Sequence, residues 1–137
     1  MADVFTKAKR SRIMRAVASK DTTPEMQVRR AVHAMGYRYR LHVADLPGKP
    51  DLVFPRLRKV IFVHGCFWHQ HRCRRGRRIP KSRRDYWEAK LARNVARDRS
   101  HRRKLRRDGW GVLVVWECQL KKDEDAVRQR LLDFLQA

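Results

Sequence analysis

PDLVFPRLRKVIFVHGCFWHQHRC, residues 50 to 73, carries the decision about the fold. Two apolar runs, DLVF and VIFV, stand either side of PRLRK. Four residues are too few for an amphipathic helix, and runs rich in Val, Ile and Phe between turn formers read as strands. VIFV has no polar position at all, so it is expected to be buried on both faces. It then runs directly into VHGCFWHQHRC, where three histidines, two cysteines and two large aromatics share eleven positions. A core strand does not accommodate that many histidines. A solvated loop does not favour Phe67 beside Trp68.

On the N-terminal side, DTTPEMQVRRAVHAMG predicts a helix. Thr22 with Glu25 fits a capping box, Pro24 suits a first turn and Gly36 suits a stop. Val28, Ala31, Val32 and Met35 then share one face. YRYRLHV, residues 37 to 43, alternates and reads as a strand before a turn at LPGKP. On the C-terminal side a helix is expected from Asp85 to Arg107, with Trp87, Leu91, Val95 and Leu105 near one face and Gly109 ending it. WGVLVVWE, apolar on both faces, reads as a central strand. Residues 121 to 137 read as a C-terminal helix with acids at its start and an apolar face through Val127, Leu131 and Phe134. The order is helix, strands, helix, strand, helix. It predicts an α/β chain of one domain over residues 1 to 137, a mixed sheet flanked by helices. Residues 1 to 20 are basic and aperiodic and read as an arm.

Thirty-five Lys and Arg against fourteen Asp and Glu leave a formal charge of +21. A compact domain tolerates such self-repulsion best when a polyanion neutralises it, which points to nucleic acid. A membrane surface fits less well, because no basic helix carries a continuous apolar face. No hydrophobic leader opens the sequence, and no apolar run approaches about 18 residues. Three cysteines in such a chain argue against a disulfide framework and leave metal ligation or plain burial.

Zinc takes four cysteine and histidine ligands in structural sites. Cys66, His71 and Cys73 offer three within eight residues, and Cys118 offers a fourth at the end of the apolar strand. The alternative treats buried cysteines as small apolar residues, which suits Cys118 better than Cys66 and Cys73. His64 and His69 are then left over as candidate acid–base groups. Asp51 starts one strand while the next ends at Val63-His64. A carboxylate beside the peptide of residue 63 suits Mg²⁺, which prefers oxygen. Taken singly, Asp51 is equally a turn residue and Glu25 a capping-box acid. Trp87 fits a helix core, Lys90 and Asn94 a solvated helix face. Asp98 and Glu117 read as ordinary surface or strand-end acids.

PGKPDLVF, VIFVHGCFWHQHRC, YW-x₂-K-x₃-N and VVWEC together resemble the very short patch repair endonucleases of the Vsr type. KRSRIMRAV and DTTPE fit as well, so the resemblance runs from about residue 3 to about residue 120. These enzymes are a variant of the PD-(D/E)xK nucleases; the usual acidic-x-Lys segment is replaced, here by Phe62-Val63-His64. The resemblance implies a restriction-endonuclease-like fold with a structural zinc loop. It also implies a Mg²⁺-dependent nickase that cuts 5′ of the mispaired thymine at T:G mismatches left by 5-methylcytosine deamination.

Carried over by residue, Asp51 and the backbone carbonyl of Val63 hold Mg²⁺, and position 63 is Val where Thr is common. His69 is the base, His64 supports the phosphate or leaving group, and Glu25 holds water. Cys66, His71, Cys73 and Cys118 hold Zn²⁺. Phe67, Trp68 and Trp87 form a wedge beside the mismatch, Lys90 and Asn94 lie near it, and Arg10, Arg12, Met14 and Arg15 clamp the duplex. The implied setting is the bacterial cytoplasm. There the chain would work as a monomer on double-stranded DNA, linked to a cytosine-5 DNA methyltransferase and to downstream repair proteins. Two rivals remain: a zinc-stabilised binder without catalysis, and a restriction-type nuclease of the same fold cutting matched duplex. RRGRRIPKSRR, residues 74 to 84, is more basic than such a clamp needs.

Overall fold

The computed structural model describes residues 22 to 137, so the arm with Arg10, Arg12, Met14 and Arg15 lies outside the described residues. The elements are α1 (Thr23–Ala34), β1 (Arg40–Leu41), β2 (Leu52–Phe54), β3 (Lys59–His64), α2 (Arg84–Arg107), β4 (Gly111–Trp116), α3 (Glu117–Lys122) and α4 (Glu124–Gln136). The four strands form one mixed sheet in the order β1-β2-β3-β4. β1 and β2, and β2 and β3, run antiparallel, whereas β3 and β4 run parallel from Lys59↔Gly111 to His64↔Trp116. This is the expected α/β architecture of a mixed sheet with flanking helices.

Alternation along the apolar runs sends side chains into two cores. Leu52, Phe54, Ile61 and Val115 pack with Val28 and Val32 of α1 and with Leu120, Val127 and Leu131 from α3 and α4. Val53, Val60 and Phe62 pack on the other side with Leu105 of α2, Trp110, Val112 and Val114. VIFV is therefore buried on both faces as its composition demands. Each fully buried aliphatic side chain contributes about 1.5–3 kcal/mol.

α1 begins where its caps predict: Thr22 is extended and its hydroxyl accepts the Glu25 amide at 3.4 Å. The 37–43 segment pairs over only two residues. His42 turns into left-handed backbone (φ 48°), ending the strand, while Tyr37 and Tyr39 set their rings edge-on to Phe54. β4 is an edge strand of the described sheet, not a central one. Its two apolar faces answer to cores on both sides of the sheet, not to a strand on each edge. The final segment is two helices, broken at Asp123, whose side chain accepts the Ala126 amide at 3.1 Å. Cys118 accordingly sits in the first turn of α3, and Leu135 rather than Phe134 completes the buried face of α4. On α2, Leu91 and Leu105 are buried, whereas Trp87 and Val95 are only half-buried. Among the described residues no helix is long and apolar enough to cross a membrane.

Candidate active site

Antiparallel pairing of β2 with β3 places the start of one beside the end of the other, which brings Asp51 to Val63. The Val63 amide donates to Asp51 Oδ2 at 2.7 Å. Within a strand the N–H and C=O of one residue point to the same edge, so the Val63 carbonyl also faces the Asp51 side. Only the backbone of residue 63 meets Asp51 in this contact, so the contact itself does not depend on which side chain stands there.

Glu25, buried on α1, accepts from His42 Nε2 at 2.9 Å and pairs with Arg29. His42 Nε2 also lies 3.9 Å from Asp51 Oδ1. Glu25, His42 and Asp51 thus offer ligand atoms all within 4.8 Å of one another. Burial pushes the Asp51 carboxyl up to about 8; the neighbouring Glu25 adds to the rise and the Val63 amide opposes it. Glu25 is therefore more than a helix cap. His42 carried no signal in the alternating pattern around it, because the left-handed bend that aims it inward is invisible in residue type.

At the end of β3, His64 and His69 stack face to face, with ring centroids 3.7 Å apart and planes 6° apart. His69 Nδ1 lies 2.6 Å from Asp98 Oδ2. Asp98 is thus a partner of His69 reaching in from α2, not an ordinary surface acid. Burial works against its ionisation, but the His69 hydrogen bond, the two imidazoles and Arg102 outweigh it, and the carboxyl stays below the usual range. Burial drives His64 down to about 3, helped by His69. His64 Nδ1 is buried and has no hydrogen-bond partner among the described residues.

Directly after these histidines, Cys66, His71, Cys73 and Cys118 converge, with ligand atoms within 4.8 Å. His71 Nδ1 is 3.4 Å from Cys118 Sγ and 4.0 Å from Cys66 Sγ. All three thiols are free, and only Cys66 is buried, which argues against plain apolar packing for Cys73 and Cys118. Burial pushes Cys66 up to about 12. Cys73, where His71, the Gly76 amide and the two neighbouring thiols outweigh burial, falls to about 6. Glu117 proves structural here, accepting the Cys66 amide at 3.1 Å. Gly76 lies so close to the His71 backbone that a Cβ there would overlap it.

Phe67, Trp68 and Trp87 form one aromatic cluster, with centroid separations of 5.1, 5.9 and 6.0 Å. Trp68 remains 38 % exposed. Lys90 Nζ sits 5.7 Å from the Trp68 ring and 5.6 Å from the Trp87 ring, a cation–π arrangement that Tyr86 joins at 5.8 Å. Asn94 Nδ2 donates to the Trp68 carbonyl at 3.3 Å. Lys90 and Asn94 thus steady the aromatic cluster while facing outward. Tyr86 of the YW pair carries no sequence signal of its own, and its part in the cluster comes from its ring lying against Lys90.

A cleft of about 1070 Å³ runs past Glu25, Asp51, His64, His69, Trp68 and Asp98. Residues drawn from positions 25 to 98 therefore place two carboxylates, the hydrogen-bonded His69–Asp98 pair and an exposed aromatic around one opening.

The family model described as DNA mismatch endonuclease Vsr matches residues 2–75. The type II nicking enzyme V.XorIIP of Xanthomonas oryzae pv. oryzae is 50 % identical over 135 residues, spanning 98 % of both chains. The type II nicking enzyme V.NmeAIP of Neisseria meningitidis is 44 % identical over 131 residues, 96 % of this chain and 92 % of its own. The DNA mismatch endonuclease Vsr of Escherichia coli K12 is 43 % identical over 139 residues, 98 % of this chain and 88 % of its own. Motifs, architecture and whole-length similarity agree: the chain belongs to the DNA mismatch endonuclease Vsr family, and it is an endonuclease.

Proposed function

We propose that the protein nicks duplex DNA 5′ of the mispaired thymine at T:G mismatches left by deamination of 5-methylcytosine, using Mg²⁺ for chemistry and Zn²⁺ for structure. The observation that carries this reading is the shared cleft, which places Asp51, the His69–Asp98 pair and exposed Trp68 around one opening.

The donor sets fit both metals. Asp51 and the Val63 carbonyl are oxygen donors, and a buried carboxyl held up to about 8 beside a second acid is a site that a divalent cation relieves. Two sulfurs with unequal proton affinities, a third on α3 and an imidazole suit tetrahedral zinc, which takes thiolates. Magnesium, when bound, supplies a Lewis acid that stabilises charge on the phosphate.

The chain's own groups do the remainder. Asp98 holds the His69 Nδ1 proton, which leaves Nε2 with its lone pair towards the cleft. Water loses a proton to that nitrogen as its oxygen bonds to phosphorus. The bond from phosphorus to the 3′ oxygen of the preceding nucleotide breaks, and that oxygen takes a proton from solvent. Asp98 then stabilises the imidazolium until it returns its proton to water. His64, with its pKa near 3, is neutral at physiological pH and acts as a hydrogen-bonding group rather than a cation. Glu25 and His42 order water beside Asp51.

Phe67, Trp68 and Trp87 enter beside the mismatch. Unstacking costs a few kcal/mol per step and less at a mismatch, so the wedge itself favours damaged sites. The fold is of the restriction-endonuclease type, and the enzyme works as a monomer in the bacterial cytoplasm. It corrects lesions that follow a cytosine-5 methyltransferase and passes the nick to repair synthesis.

A strand-nicking assay with Mg²⁺ tests the reading on a labelled duplex carrying one T:G mismatch in several methylation contexts. A nick 5′ of the mispaired T, absent from a C:G duplex and from His69→Ala, is the expected result. Tight mismatch binding without nicking would replace it with a zinc-stapled binder. Cutting of matched duplex would make the protein a restriction-type nuclease.

A further inference from the structure

The segment RRGRRIPKSRR has seven cations, and two of them, Arg75 and Arg78, line the same cleft as Asp51 and His69. Lys121 of α3 lines it too. The Arg78 amide donates to the Arg75 carbonyl at 3.3 Å, and the Arg77 amide to the Cys73 carbonyl at 3.1 Å. A tight turn on the cysteine cluster therefore carries both arginines. Gly76, packed against the His71 backbone, seats that turn. The neighbouring acid, Glu117, lies 3.6 Å from Arg75 but already accepts the Cys66 amide. Of these three cations only Arg75 has an ion-pair partner among the described residues, and that acid is committed to the cysteine loop. Cations left without a carboxylate along a cleft favour the entry of an anion.

We infer that Arg75, Arg78 and Lys121 form a phosphate track, which grips the DNA backbone beside the scissile phosphate and ties that grip to the cysteine–histidine loop. The inference rests on the nuclease reading above, since that reading puts a DNA strand in the cleft. Phosphate is favoured over base recognition because the three cations line the same cleft as Asp51 and His69, where the scissile phosphate sits in that reading, and phosphate contacts carry no sequence information. The track therefore raises affinity for any duplex seated in the cleft and leaves T:G preference to the wedge.

The test is the salt dependence of binding by the zinc-loaded protein, measured on T:G and C:G duplexes of otherwise identical sequence for wild type and Arg75→Gln/Arg78→Gln. Each lost phosphate contact lowers the log–log salt slope by about 0.9, so the double variant should lose about 1.8. Its affinity should then fall about tenfold less than wild type between about 50 and about 200 mM salt. The T:G over C:G ratio should not move. Arg75→Lys/Arg78→Lys should restore most of the slope. Arg128→Gln/Arg130→Gln, on α4 and away from the cleft, should leave it unchanged.

If the glutamine pair fails to fold, each single variant should show about half the effect. Neutral methylphosphonates placed one at a time along the strand should weaken wild type at positions where they leave the variant indifferent. An unchanged slope in the glutamine variants, or no such position on the DNA, overturns the track while wild-type nicking stands. Absence of wild-type nicking at T:G overturns the nuclease reading instead.

Discussion

At the residue scale, the proposed mechanism makes the hydrogen-bonded His69 and Asp98 act as one unit. His69→Ala is expected to slow nicking by about 10²–10⁴-fold, the usual range for a lost general base. Asp98→Asn should slow it by a comparable factor while leaving the mismatch Kd within about twofold, because the asparagine no longer enforces the reactive tautomer. Single-turnover nicking beside a binding titration separates the two effects. An Asp98→Asn enzyme with wild-type rate would return Asp98 to the status of a surface acid.

His64 makes a pH prediction with a definite sign. Its folded pKa of about 3 lies below the ordinary 6.5, so the unfolded chain binds more protons between those values. Stability from this group is fully present above about 6.5 and is lost as pH falls towards 3. His64→Gln should therefore flatten the acid limb of a denaturation–pH profile, read by urea melts between those limits. A variant with the same limb as wild type would show that His64 takes up its proton alike in the folded and unfolded chain.

At the element scale, the cysteine loop borders the cleft, while α4 packs against the sheet away from it. Gly76→Ala forces a methyl into the His71 backbone and should cost about 1–3 kcal/mol, the range for overpacking. Zinc content by metal analysis should fall with it, since His71 moves. Retained zinc with an unchanged Tm would contradict that packing. Leu131→Ala, which empties a fully buried position under β3 and β4, should cost about 2–5 kcal/mol in chemical denaturation. Because that core lies on the face of α1 and α4, DNA binding by the folded fraction should persist.

At the scale of the whole molecule, one loop carries three of the four proposed zinc ligands together with His69 and Trp68, so the proposed functions should fail together. Chelation of zinc is expected to remove nicking and mismatch preference in parallel and to lower the thermal midpoint. Residual binding should remain strongly salt-dependent, because much of the charge lies on α2 and the arm outside that loop. Loss of nicking with mismatch preference intact would separate the wedge from the loop.

Much of this was legible in residue order. Apolar runs of four to six residues identified β2, β3 and β4, the Thr22 cap and Gly36 bracketed α1, and the density of His, Cys and aromatic residues marked the loop. Charge alone pointed to nucleic acid. Those features are local: period, capping and composition act over a few residues, so sequence determines them directly.

Tertiary structure decided the rest, because it depends on which distant residues meet. Asp98 and Glu117 look ordinary until α2 and α3 bring them to His69 and Cys66. His42 gains meaning only from a left-handed bend that sets it against Glu25 and Asp51. β4 looked central, yet apolarity on two faces cannot distinguish a strand between neighbours from an edge strand between two cores. Two of seven basic residues in one run reach the cleft, and only the turn on the cysteine cluster selects which two.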